Sequence, residues 1–185
     1  MLRFERKRQE LLYESKIVSL YRDYLETPAG NIVEYDYIKH KSGGGAGILL
    51  VDENEHTYLV KQYRNSIDDI DIEIPAGGYS YVGESGEQCA LREAEEETGF
   101  IPQKLFHVSN IVSSVGTFDE RTDIYIGTNL KKGSINYDPD EYIEIMEIDI
   151  NKAVDMIYTG EIIDSKTVIA LLAYLRLKNN GELDA

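Results

Sequence analysis

GGYSYVGESGEQCALREAEEETGF, residues 77–100, is the stretch from which the rest of the chain can be read. A helix is predicted from about Gly86 to Thr98. Ser85 with Gln88 has capping-box spacing, Gly99 suits the left-handed C-terminal position, and Pro102 blocks continuation. Between residues 84 and 97 stand six glutamates and one arginine, a local charge of −5. Most charge runs are solvated faces. Here Glu93, Glu96 and Glu97 fall three and four residues apart on one side of the helix, beside Ala90 and Ala94, which would pack inward. Carboxylates at the edge of a core repel one another unless something neutralises them. Arg92 can pair with Glu96 at the four-residue spacing, but one cation does not balance the group. Mg²⁺ or Mn²⁺ would, since both take hard oxygen ligands. Just upstream, Pro75-Ala76-Gly77-Gly78 can bring bare backbone against a ligand, and a carbonyl of that turn could complete a metal shell. Taken alone, the glycines make an ordinary loop.

Upstream of this stretch, Gly47–Val51 and Thr57–Tyr63 read as buried strands across the polar DENEH turn, and Ile72–Ile74 ends at Pro75. Earlier still, Ile17–Leu25 and Ile32–Ile38 alternate apolar and polar residues about the turn TPAGN and make a strand pair. HKSGGGAG (40–47) reads as a flexible break, and residues 1–15 as a charged short helix or arm. Downstream, Leu105–Ser114, Ile124–Gly127 and Tyr142–Asp149 are predicted strands. Two helices follow, Lys152–Tyr158 capped by Asn151 and Val168–Lys178 capped by Asp164 or Ser165. Strands with helices between and after them imply an α/β or α+β domain on a mixed sheet. The expected break lies near residue 42, giving an N-terminal extension over 1–42 and a main domain over 43–185.

Composition narrows the partners. The 185 residues carry 19 basic and 34 acidic side chains, so the formal net charge is 19 − 34 = −15. That balance argues against tight binding to nucleic acid or to an anionic membrane, whose phosphates need Lys and Arg. It does not exclude a nucleotide held through a divalent cation. The single cysteine, Cys89, cannot form an intrachain disulfide, which fits a reducing cytoplasm. No signal-peptide pattern stands at the N-terminus, and the longest apolar run, Val168 to Leu175, is far too short to span a bilayer. A cytoplasmic protein is the expectation. Cys89 has no evident cationic neighbour to activate its thiol, and His40, His56 and His107 show no metal-ligand spacing.

The 77–100 stretch resembles the Nudix box, G-x5-E-x7-R-E-U-x-E-E-x-G-U with U apolar. Gly78, Glu84, Arg92, Glu93, Glu96, Glu97 and Gly99 fall at the fixed positions, and Ala94 and Phe100 at the apolar ones. The likeness extends over roughly residues 44–178. Gln62-Tyr63-Arg64 and Glu73-Ile74-Pro75-Ala76-Gly77 are similar to elements of ADP-ribose and related nucleoside-diphosphate-sugar pyrophosphatases. So are Ser113–Glu120, Asp140–Glu144 and the helix start Asp164-Ser165-Lys166-Thr167.

The resemblance implies an α/β/α sandwich with a mixed central sheet and an N-terminal β extension. It also implies a hydrolase that cleaves the pyrophosphate of ADP-ribose or a similar nucleotide sugar. Carried over by position, Glu93, Glu96 and Glu97 become ligands for Mg²⁺ or Mn²⁺, with Glu84 in support and Arg92 orienting the glutamates. A backbone carbonyl joins them, from Gly77 or from Ala76, because Gly77 and Gly78 are consecutive and the register stays open. Arg64 suits a phosphate as a planar bidentate donor, though a surface arginine after a strand reads the same way. Glu141 falls where these enzymes keep a catalytic base, in an acidic loop that could equally be solvated. Glu73, Ala76 and Glu120 are candidate substrate contacts. The resemblance further implies a homodimer built through the N-terminal strands. Val115 stands where many ADP-ribose enzymes have proline, which keeps GDP-mannose or a dinucleoside polyphosphate in view as substrate; a nucleotide-sensing domain that does not hydrolyse is a separate alternative.

Overall fold

A computed structural model describes residues 2–137 and 142–183. By their contacts they fall into two units, one comprising the chain up to Gly44 with Val112–Arg121, the other Gly45–Ile111 with Thr122 onward.

In the first unit, β1 (Glu5–Glu14), β2 (Val18–Glu26) and β3 (Ile32–His40) form an antiparallel sheet in the order β1-β2-β3. The two strands about TPAGN are as expected. Residues 5–14, read as a short helix or arm, are a strand instead. The reason is cross-strand charge: Arg6 pairs with Asp23 at 2.8 Å, Lys7 with Glu26 at 2.5 Å, and Gln9 donates to Asp23 at 2.8 Å. None of these partners can be seen in the strand's own periodicity. Residues 113–120 return to the end of β3, where Ile38 N donates to Thr117 O and His40 N to the Asp119 carboxylate, both at 2.7 Å.

The second unit is built on β4 (Gly44–Leu50), every residue of which is buried. Its neighbours are β7 (Ala76–Gly78) and β9 (Arg121–Lys132), with β8 (Phe100–Val112) beyond, in the order β7-β4-β9-β8. A second sheet runs β10-β5-β6, from β10 (Ile143–Asp149), β5 (His56–Arg64) and β6 (Asp69–Glu73). Expected as a break, the glycine run instead opens β4, because Gly45 and Gly47 pair closely with Gly78 and Ala76 of β7.

Alternation along β4 and β9 sorts the core into two layers. Ile48, Leu50 and Tyr125 meet Cys89, Ala90 and Ala94 of α1 (Gly86–Thr98). Leu49, Val51, Ile124 and Ile126 meet Ile150 and Ala153 of α2 (Ile150–Thr159) and Ala170 and Leu171 of α3 (Ser165–Asn179). Helices on both faces of the strands give the α/β/α sandwich. Helix α1 has the expected capping box and ends on Gly99 at φ 71°. Helix α2 is capped by Asp149 rather than Asn151, its carboxylate accepting from Asn151 N and Lys152 N. Asp164 caps α3. Among the described residues no helix is long and apolar enough to cross a membrane.

Candidate active site

The capping box fixes where α1 starts, and so which residues face its core-side edge. Glu93 and Glu97 point inward, 7% and 2% exposed, and Glu84 in the preceding loop is 8% exposed. Arg92 holds the group together. Its Nε donates to Glu84 at 2.9 Å, its Nη1 to Glu93 at 2.6 Å and to Glu96 at 3.0 Å, and its Nη2 to the carbonyl of Gly78 at 3.0 Å. Burial works against the guanidinium charge, but Glu84 and Glu93 outweigh it and hold the pKa above its ordinary value. The Arg92 hydrogen bond, with a further bond from Ser80 N at 2.6 Å, keeps Glu84 below the usual carboxylate range. Glu84, Glu93, Glu96 and Glu97 against Arg92 leave a formal charge of −3.

The Pro-Ala-Gly turn closes on the same carboxylates. Ala76 N donates to Glu97 Oε2 at 3.2 Å. A Cβ on Gly77 would lie 2.0 Å from Glu93 Oε1, so with any other residue the Glu93 carboxylate would have to move. Of the two residues between which the carbonyl register stood open, Gly77 is the one packed on Glu93. Cys89 donates its thiol to Gly77 O at 3.4 Å. Contrary to expectation, it has a cationic neighbour, Arg92 Nη2 at 3.5 Å. Burial nevertheless pushes the thiol up to about 11, which leaves it unreactive near neutrality.

A second acidic group lies at the end of β6. Oxygens of Asp71, Glu73 and Asp164 all fall within 4.8 Å of one another. Here the charges are answered. Arg64 grips Glu73 with two donors, at 2.5 and 2.9 Å, and Lys166 binds both Glu73 and Asp164, the latter at 3.0 Å. Burial resists the charge on Glu73, but Arg64 and Lys166 prevail and depress its pKa, while the charge of Lys166 is favoured in turn. Thr167 Oγ1 accepts from Ile74 N at 2.8 Å, tying α3 to the strand that leads into the Pro-Ala-Gly turn.

The structure thus gathers Gly77, Glu84, Arg92, Glu93, Glu96 and Glu97, and places Ala76 on them. Arg64 and Glu73 come together as a pair, with the charge of Glu97 also felt at Arg64. Glu73 is 1% exposed, so its carboxylate acts by holding Arg64. Glu120 belongs to the first unit, 3.8 Å from His40 Nε2. Glu141 lies outside the described residues. Sequence reasoning missed Lys166. Its signal was a lysine in the first turn of a helix, where the dipole disfavours a cation unless anions hold it.

Comparison with known proteins identifies the family. Residues 41–166 match the NUDIX domain. The chain is 33% identical to an ADP-ribose pyrophosphatase of Bacillus subtilis over 92% of its own length and 91% of that protein. It is 34% identical to a methanol dehydrogenase activator of Bacillus methanolicus, covering 95% of each. A crystal structure of an ADP compounds hydrolase shares the fold at a TM-score of 0.84, covering 98% of both chains at 19% identity. The chain belongs to the Nudix family, and the domain match together with the pyrophosphatase relative places it among that family's pyrophosphohydrolases.

Proposed function

We propose that this chain hydrolyses the pyrophosphate bond of ADP-ribose or a related nucleoside-diphosphate sugar, with Mg²⁺ or Mn²⁺, to a nucleoside monophosphate and a sugar phosphate. The carrying observation is the charge at α1: Glu84, Glu93 and Glu96 share Arg92, Glu97 stands beside them, and a bare backbone turn is packed against Glu93. That donor set is all oxygen and anionic, which fits a hard divalent cation. Glu93, Glu96 and Glu97 would hold it, with Glu84 and the Gly77 carbonyl. When bound, such an ion neutralises phosphate charge and acidifies a coordinated water.

The chain's own residues do the rest by position. Arg92 fixes the glutamate rotamers through its hydrogen bonds. Arg64, backed by Glu73, offers its remaining donors to a substrate phosphate. Ala76 N–H supports Glu97. Glu141 is assigned the role of base, and Glu120 that of a nucleotide or sugar contact, both from family resemblance alone. A cytoplasmic homodimer completes the reading on the same footing. The ADP-ribose assignment is supported by the Bacillus subtilis relative, and Val115 in the 113–120 loop keeps GDP-mannose and dinucleoside polyphosphates as alternatives.

The test is release of phosphatase-sensitive product from a panel of nucleotide sugars and dinucleotides with each ion. Preference for ADP-ribose is expected. Preference for another nucleotide sugar moves the substrate and keeps the mechanism. No turnover on any substrate, together with thermal stabilisation by a nucleotide, would favour a sensing domain instead.

A further inference from the structure

The loop between Gly78 and Gly86 delivers Glu84 to the glutamate helix, yet most of it stands in solvent, with Tyr81 54% exposed and Val82 fully so. Its interior is held by Glu84 itself, which accepts from Ser80 N, while Glu84 N donates to Tyr81 O at 3.2 Å. Those bonds shape the loop without fixing where it sits. Both of its ends meet one side chain on β9. Tyr79 donates its hydroxyl to Asp123 Oδ2 at 3.0 Å. At the other end, a Cβ on Gly86 would lie 2.6 Å from the same oxygen and 2.9 Å from Asp123 Cβ and Cγ, so the first residue of α1 rests directly on that carboxylate. A carboxylate there also suits the positive end of the helix.

Asp123 is braced on its far side. Asn110 Nδ2 donates to Oδ1 at 3.0 Å, and His107 Nε2 lies 3.2 Å from the same atom. One oxygen therefore faces the loop and the other faces β8, which leaves the side chain little freedom to turn. Burial and the Asp123 bond push the Tyr79 hydroxyl up to about 12, so it stays a donor through the neutral range.

We propose that Asp123 is a positioning residue, whose carboxylate bridges the two ends of the 79–85 loop and thereby sets the affinity of the glutamate helix for its divalent ion. The inference rests on the metal reading of the proposed function. Asp123 touches no candidate ligand. It acts through Tyr79, next to Gly78 whose carbonyl binds Arg92, and through Gly86, the residue from which the α1 register begins.

The experiment is calorimetric titration of the full-length, metal-free protein with MnCl₂. Loss of a partner behind metal ligands typically weakens binding by roughly 10–100-fold. Asp123→Ala should fall in that range, and Tyr79→Phe, which removes only the hydroxyl, at its lower end. Asp123→Asn keeps the shape and one of the two acceptor oxygens, so its affinity should fall between wild type and Asp123→Ala. Turnover of Asp123→Ala at saturating Mn²⁺ should recover to within about threefold, a rescue that a merely structural lesion would not show. Should Asp123→Ala fail to fold, Tyr79→Phe decides alone. Mn²⁺ affinity of a folded Tyr79→Phe within threefold of wild type overturns the proposal. Wild type that binds no Mn²⁺ overturns it together with the metal reading. If wild type binds Mn²⁺ but cleaves no nucleotide, the hydrolase reading fails while the effect of Tyr79→Phe still stands.

Discussion

Two clusters of acid sit within the second unit, and they differ in what answers them. Glu84, in the loop before α1, shares Arg92 with Glu93 and Glu96 of the helix, and with Glu97 beside them the group keeps a formal surplus of three negative charges. At the end of β6, Asp71, Glu73 and Asp164 meet Arg64 and Lys166 and keep a surplus of one. The second cluster is tight, with its oxygens within 4.8 Å of one another, and tightness alone would nominate it as the metal site. Charge balance reverses the choice. Glu73, which holds both an arginine and a lysine, and Asp164, which shares that lysine, are answered by fixed cations and act as a strut. Carboxylates gathered on a shared guanidinium, beside a glycine backbone, are arranged to take up a cation from solution. Arg64, which grips Glu73, also feels the charge of Glu97.

The largest effect should come from α1. Glu97→Gln or Glu93→Gln removes a proposed cation ligand, and a loss of several kcal/mol in barrier lowering corresponds to about 10³-fold in kcat. The metal-free fold should persist in both variants, because the amide oxygen of Gln can still accept from Arg92 Nη1 at position 93 and from Ala76 N at position 97. Turnover close to wild type for both at saturating Mg²⁺ would erase the distinction drawn between the clusters.

The strut should fail in the opposite way. Lys166→Met leaves Asp164 without its cation and Glu73 with Arg64 alone, in a site where Glu73 is 1% exposed. Breaking a buried pair from one side costs about 3 kcal/mol, or roughly 6–12 °C in Tm for a chain of this size. Mn²⁺ affinity measured on the folded variant should stay at the wild-type value. A variant of unchanged Tm but weakened Mn²⁺ binding would mean that the β6 cluster belongs to the ion site after all.

The contrast between the clusters also explains what could be read in advance. The glutamate helix was legible because its capping box, its three- and four-residue carboxylate spacing and its terminal glycine are all local in sequence. The strands about TPAGN and the buried β4 run followed from apolar periodicity. Strand β1 did not, since its stabilising partners, Asp23 and Glu26, stand on another strand. The cap of α2 moved by two residues because Asp149 both ends β10 and caps the helix. Lys166 was invisible as a partner because Glu73 is 93 residues away. Gly77 was legible as a close-approach glycine, but only the fold shows that the carboxylate it admits is Glu93.

The smallest effect separates the clusters by pH. Glu73 is held below its ordinary value of 4.5 because Arg64 and Lys166 outweigh the cost of burying it. The folded state therefore binds that proton less readily than the unfolded chain. Its contribution is complete above about pH 4.5 and is lost as pH falls through the folded value. Thermal melts of wild type and Glu73→Gln across pH 3 to 7 should show the widest Tm gap near neutrality and a narrowing gap toward the acid end, where wild type also carries a neutral side chain at this position. In Glu73→Gln the amide cannot titrate, and Arg64 and Lys166 lose their common anion at every pH, so the narrowing has to come from wild type. A gap that widens on acidification would place the stabilising charge elsewhere, with Asp164 the next carboxylate to replace, since it also binds Lys166 and caps α3.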